Sequence, residues 1–143
     1  MIMQMSPESA PARVLVVDDD PIFAGLAAQC LVRAGFDVRT AGDGVDGLEW
    51  LDAERFDLAI VDLLMPRIDG LRLIALVRGS ERLQSLAILV VSARNDAEAY
   101  REAMAIGADA TQSKPVDWSL LPERARTVIA DRRAALAARG AGT

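Results

Sequence analysis

The sequence predicts an α/β domain built on an open, five-stranded parallel sheet with helices on both faces. Three observations carry that prediction. Short β-branched runs alternate five times with longer amphipathic stretches. Three of the runs, Val14 to Val17, Leu58 to Val61 and Ala87 to Val91, are nearly unbroken apolar segments, as strands are when helices cover both sides of a parallel sheet. A chain of 143 residues holds five strand-helix units in one domain but is too short for a closed eight-unit barrel.

Taken in order, the first strand is Arg13 to Val17, and Pro21 opens the helix that follows, in a first turn where its missing N–H costs nothing. That helix runs to Ala34, and Gly35 supplies the C-terminal cap. The second strand, Phe36 to Thr40, precedes a helix from Val45 to Arg55. The third, Leu58 to Val61, precedes one from Gly70 to Arg78. The fourth, Ala87 to Val91, leads to a helix from Asp96 to Ile106 capped by Gly107. Ala110 to Ser113 is the last strand, and Trp118 to about Ala138 the last helix. Residues 1–12 read as a disordered leader, 13–130 as the domain, and 131–143 as an extension of the last helix with a tail frayed from Gly140.

Composition removes much chemistry. The chain has no histidine, so Ser-His-Asp and Cys-His catalysis and histidine metal ligation are excluded. Its net charge of −5 argues against a general nucleic-acid binder. Cys30 is the only cysteine and lies in an apolar helical pattern, so a buried free thiol and a reducing cytoplasm are expected. No apolar run has the length of a signal peptide core or a membrane span.

In an open parallel sheet, ligands bind beyond the carboxyl ends of the strands. Those ends carry Asp18-Asp19-Asp20 after the first strand, Asp62 after the third, Ser92 after the fourth and Lys114 after the fifth. Each has a plain structural alternative, since acids near helix starts serve as caps or complement the helix dipole. Lys114 stands out as the single lysine in a chain whose other cations are all arginine, a choice that suits a compact point charge, although codon bias yields the same imbalance.

Together, Val16-Val17-Asp18-Asp19-Asp20-Pro21, the run Asp57 to Gly70 around Asp62, Val91-Ser92-Ala93, Gly107-Ala108-Asp109 and Lys114-Pro115 resemble the receiver domain of two-component response regulators. The resemblance spans about Arg13 to Ile129. It implies a flavodoxin-like doubly wound fold with strand order 2-1-3-4-5 and a cis Lys114–Pro115 peptide. It further implies that Asp62 accepts a phosphoryl group and that Mg²⁺ is held by Asp19 and Asp62, with Asp18 acting through water and the Leu64 carbonyl as a further ligand. By the same resemblance, Lys114 and Ser92 contact the phosphoryl oxygens, and Ala93 leaves room beside them.

With no histidine of its own, the chain would draw its phosphoryl group from a sensor histidine kinase or a histidine phosphotransfer protein, or from a small acyl phosphate. It would catalyse only its own phosphorylation and dephosphorylation. Ser92 and the fifth-strand position Thr111 are the expected switch residues. The family commonly has an aromatic ring where this chain has Thr111, and another where it has Val116, so the usual pairing of ring and hydroxyl lacks its ring here.

Tyr100 and Met104, four apart on the fourth helix, read as core cover, with partner docking as the alternative. The arginines of the last helix, 124, 126, 132, 133 and 139, read as a solvated face. The residues after Ile129 are too few for an effector module, so the expected output is contact with a downstream target protein, by a stand-alone receiver or one excised from a larger regulator. A homodimer is possible on this reading; nucleic-acid contact and membrane insertion are not expected. Two rivals remain: an unphosphorylated pseudo-receiver scaffold, and a phosphohydrolase using the D-x-D within Asp18 to Asp20.

Overall fold

The computed structural model describes residues 10–93 and 97–141. Strands β1 (Arg13–Val17), β2 (Asp37–Ala41), β3 (Leu58–Val61), β4 (Ala87–Ser92) and β5 (Ala110–Ser113) form one parallel sheet in the order 2-1-3-4-5. Helices α1 (Pro21–Arg33), α2 (Gly44–Ala53), α3 (Gly70–Arg78), α4 (Ala97–Ile106) and α5 (Leu121–Ala141) each follow a strand, and a short 3-10 turn spans Glu81–Leu83. This is the flavodoxin-like doubly wound arrangement.

The apolar strand runs are two interleaved stripes of period two. Val14, Val16, Leu58, Ile60, Leu89 and Val91 face one way and pack with Phe23, Ala27 and Leu31 of α1 and Leu121, Ala125 and Val128 of α5. Leu15, Val17, Ala59, Val61, Ile88 and Val90 face the other way, toward Leu51 of α2, Leu73, Ile74 and Val77 of α3, and Ala99 and Ala103 of α4. Each of these fully buried large side chains contributes roughly 1.5–3 kcal/mol through removal from water. The outer strand β2 is half-buried and charged instead: Arg13 Nε donates to Asp37 Oδ2 at 3.0 Å, Arg39 pairs with Asp37 at 3.0 Å, and Arg13 also binds Glu54. Charged side chains on an outer strand discourage pairing with another chain.

Below the sheet, at the amino ends of the strands, a buried ion cluster ties four elements together. Asp109 accepts from the Ile88 N–H at 2.8 Å and from Arg78 at 3.0 Å, and Arg132 stands 3.6 Å away. Arg78 also donates to the Gly107 carbonyl (2.8 Å), and Arg132 donates twice to the Gln84 carbonyl (3.0 and 2.6 Å). Burial pushes the Arg78 guanidinium down to about 10, with neighbouring Arg132 adding to the effect against the pull of Asp109.

Several expectations are corrected or sharpened. Arg132 is not on a solvated face; it is 5% exposed, because Asp109 and the Gln84 carbonyl satisfy it inside the fold. Cys30 is half-buried, its thiol donating to the Trp118 carbonyl at 3.1 Å. The last helix starts at Leu121 rather than Trp118, because Asp117 accepts from the Ser119 N–H and hydroxyl in a turn that precedes Pro122. That turn leaves Trp118 free to pack its ring on Phe23, 5.4 Å between centroids. The helix continues to Ala141, so Gly140 is helical. Phe36 lies just before β2, its ring in the core. Ala12 already accepts a hydrogen bond from Asp37 N. Gly35 and Gly107 do end their helices, with φ of 98° and 126°. Asp96, expected to open the fourth helix, and residues 1–9 of the expected leader lie outside the described residues.

Candidate functional site

The sheet order reverses between β1 and β3, whose last residues Val17 and Val61 are register partners. The next residue of each strand, Asp18 and Asp62, therefore emerges side by side at the switch point where such sheets bind ligands. Both are buried, at 3% and 7% exposure, while Asp19 beside them is exposed. Carboxylate oxygens of Asp18, Asp19 and Asp62 all lie within 4.8 Å of one another.

The backbone around β1 sorts the three consecutive acids into different tasks. Asp20 caps α1, its side chain accepting from Ile22 N at 2.9 Å. Asp18 accepts from Asp20 N at 2.8 Å through Oδ1 and from Lys114 Nζ at 2.8 Å through Oδ2. Burial still raises the Asp18 carboxyl above its ordinary range, outweighing the Lys114 hydrogen bond, with the charge of Asp62 acting in the same direction as burial.

Lys114 Nζ lies 3.8 Å from Asp62 Oδ2 and 4.1 Å above the Phe23 ring, so one ammonium touches both buried acids and an aromatic face. Its backbone N–H donates to the Ser92 carbonyl at 2.9 Å, and the Lys114–Pro115 peptide that follows is cis. Ser92, fully buried, ends β4 opposite Ser113.

The loop after β3 is pinned from two sides. Arg67, at φ 66°, bonds Asp43 (2.7 Å) and Asp46 (3.3 Å) at the start of α2. Asp43 also caps that helix by accepting from Asp46 N, and this hydrogen bond, with the Arg67 guanidinium, holds its carboxyl below the usual range. Gly70 begins α3 so close to β3 that a Cβ there would stand 2.3 Å from the Asp62 carbonyl oxygen. No other residue fits without moving Asp62.

The strand-end residues Asp18, Asp19, Asp62, Ser92 and Lys114 are thus brought to one edge of the sheet. Thr111 is half-buried within β5, with no ring to turn inward. Leu64 is exposed beside the site, its N–H at a long 3.5 Å from Asp62 Oδ1. Sequence reasoning missed the Arg67–Asp43 link and the contribution of Tyr100, whose hydroxyl lies 3.2 Å from the Ser92 carbonyl oxygen. Met104, by contrast, is 45% exposed, so only Tyr100 of that pair packs against the core.

The chain is thus an open doubly wound α/β domain with a cluster of carboxylates and one ammonium at its switch point. Residues 14–126 match the family model of the response regulator receiver domain, and the chain belongs to that family. It is 36% identical over 126 residues to the chemotaxis protein CheY of Treponema pallidum, covering 86% of each chain. It is 37% identical over 119 residues to the transcriptional regulatory protein AfsQ1 of Streptomyces coelicolor, covering 83% of this chain and 51% of that protein. The chain spans about half the length of the transcriptional regulators it matches. Among solved structures, chemotaxis protein CheY4 of Vibrio cholerae superposes with a TM-score of 0.79 at 31% identity, covering 83% of this chain and 99% of that one. Among the described residues, no helix is long and apolar enough to cross a membrane.

Proposed function

We propose that Asp62 is the phosphoacceptor of a phosphorelay. The observation that carries this reading is the convergence of a buried Asp62, two further carboxylates and the lone lysine at the sheet's switch point. A phosphoryl group on a histidine of a partner kinase or phosphotransfer protein passes to an Asp62 carboxylate oxygen. One P–O bond forms as the P–N bond breaks, and the imidazole leaves with the bonding pair and takes up a proton.

The donor set suits a divalent cation: all three side chains offer hard oxygens, and the exposed side of Asp19 leaves room for water ligands. Asp19 and Asp62 would hold Mg²⁺ directly, Asp18 through water, and the Leu64 carbonyl would complete the protein's share. When bound, the ion offsets the carboxylate charge and draws in phosphoryl oxygens.

Lys114, 3.8 Å from Asp62, would pair with one phosphoryl oxygen, and the Ser92 hydroxyl would bond another. Both contacts exist only when the group is present, so they select the arrangement a downstream target protein binds. The free Cys30 thiol is in keeping with a cytoplasmic setting.

Incubation with Mg²⁺ and acetyl phosphate tests the reading by intact mass. One added, base-labile phosphoryl group is expected, absent in Asp62→Asn. Equal labelling of the variant refutes the acceptor assignment, and no labelling by any donor supports a scaffold. Steady turnover that survives Asp62→Asn and is lost in Asp18→Asn supports a hydrolase.

A further inference from the structure

We infer that Tyr100 passes the state of the Asp62 site to helix α4. This inference rests on the phosphoacceptor reading and adds to it the residue that reports phosphorylation. Tyr100 is the single tyrosine of the chain. Its ring packs against the core between the sheet and α2, α3 and α4, and its hydroxyl reaches over the ends of two strands. The phenol oxygen lies 3.2 Å from the Ser92 carbonyl oxygen on β4 and 3.1 Å from Ser113 Oγ on β5.

Proton counting fixes the direction of both bonds. A carbonyl only accepts, so the phenol's one proton goes to Ser92, and the Ser113 hydroxyl then donates to the phenol oxygen. The same Ser92 carbonyl accepts the N–H of Lys114 at 2.9 Å. A single oxygen thus joins three groups: the residue whose hydroxyl would meet the phosphoryl group, the residue whose ammonium lies beside Asp62, and a tyrosine on α4.

Drawing the Ser92 hydroxyl and the Lys114 ammonium toward a phosphoryl group on Asp62 shifts the backbone that carries them. Hydrogen bonds weaken steeply with misalignment, so the phenol either follows the carbonyl or releases it. Tyr100 also lines a shallow surface depression with Arg101, Met104 and Thr111, so its movement reshapes exposed surface between α4 and β5. Thr111 contributes no ring to this coupling; the ring comes from the facing helix.

Because there is one tyrosine, protein grown with 3-fluorotyrosine gives one ¹⁹F side-chain resonance, and beryllofluoride with Mg²⁺ serves as the phosphoryl mimic. Its bound fluorides report binding in the same spectrum. The expected result is a shift of the tyrosine resonance that saturates with mimic binding and is absent in Asp62→Asn.

In Tyr100→Phe, which keeps the packed ring, the mimic should bind unchanged while the shift of a ¹³C-methyl label on Met104, seen in the parent protein, is lost. A bound mimic with an unmoved tyrosine resonance overturns the inference and leaves the acceptor reading standing. An equal Met104 shift in Tyr100→Phe also overturns it. No bound fluoride signal in the parent protein overturns both.

Discussion

Gly70 offers the sharpest test of how the fold positions Asp62. A methyl group there would stand 2.3 Å from the Asp62 carbonyl oxygen and 2.8 Å from the Leu63 Cα, whereas ordinary contact begins at 3.4 Å. About 1.1 Å must therefore be found, and both obstacles are backbone that cannot swing aside as a flexible side chain would. Gly70→Ala gains roughly 0.5–1 kcal/mol of helix preference, but overpacking of this kind costs about 1–3 kcal/mol.

The net expectation is a loss of up to about 2.5 kcal/mol, read as a lower urea midpoint with unchanged slope. A displacement near 1 Å at the acceptor should also slow labelling by acetyl phosphate by about 10²-fold. Gly25→Ala is the control: a Cβ there meets nothing within 4 Å on the exposed side of α1, so it should stabilise by about 0.5–1 kcal/mol and label normally. A Gly70→Ala protein as stable as the parent and labelled at the parent rate would refute the argument that this close approach sets Asp62.

Three further outcomes follow from the geometry. Asp109→Ala leaves Arg78 and Arg132 buried without their shared anion, and should cost about 3–5 kcal/mol in urea unfolding, more than Arg132→Met, which keeps the Arg78–Asp109 pair. Asp43 is held below its ordinary 3.8, so the folded form binds fewer protons than the unfolded chain near that pH. Its contribution is complete above 3.8 and is lost as pH falls through its depressed value; Asp43→Asn should show a shallower loss across that acid range in pH-dependent unfolding. Mg²⁺ should raise the melting temperature of the parent, by the equivalent of about 2.7 kcal/mol at a hundred times its dissociation constant, and should do so far less in Asp19→Asn.

The strands and the acidic site were legible because their signals are local. Apolar runs mark β1, β3 and β4, and each site residue is the one at or just past a strand end, so knowing the strands nearly locates Asp18, Asp62, Ser92 and Lys114. What stayed hidden depends on partners distant in sequence. Arg132 looks solvated in any helical projection, since the carbonyl that buries it belongs to Gln84, 48 residues earlier. Tyr100 follows the spacing of a core residue, and nothing in that spacing shows that its hydroxyl ends between Ser92 and Ser113. Trp118 continued an apolar periodicity that the Asp117 turn interrupts.

The interleaving of the strand side chains has a consequence for how mutations combine. Val16 and Val17 are chain neighbours, yet the sheet separates their side chains, one packing with α1 and α5 and the other with α2, α3 and α4. Truncating both should give nearly additive losses, as for groups that share no contacts. Val16 and Leu89, 73 residues apart, belong to the same cluster and are the better candidates for non-additive losses. A map of pairwise mutational coupling along each strand should therefore alternate residue by residue, with the sheet acting as an insulator between two adaptable interiors.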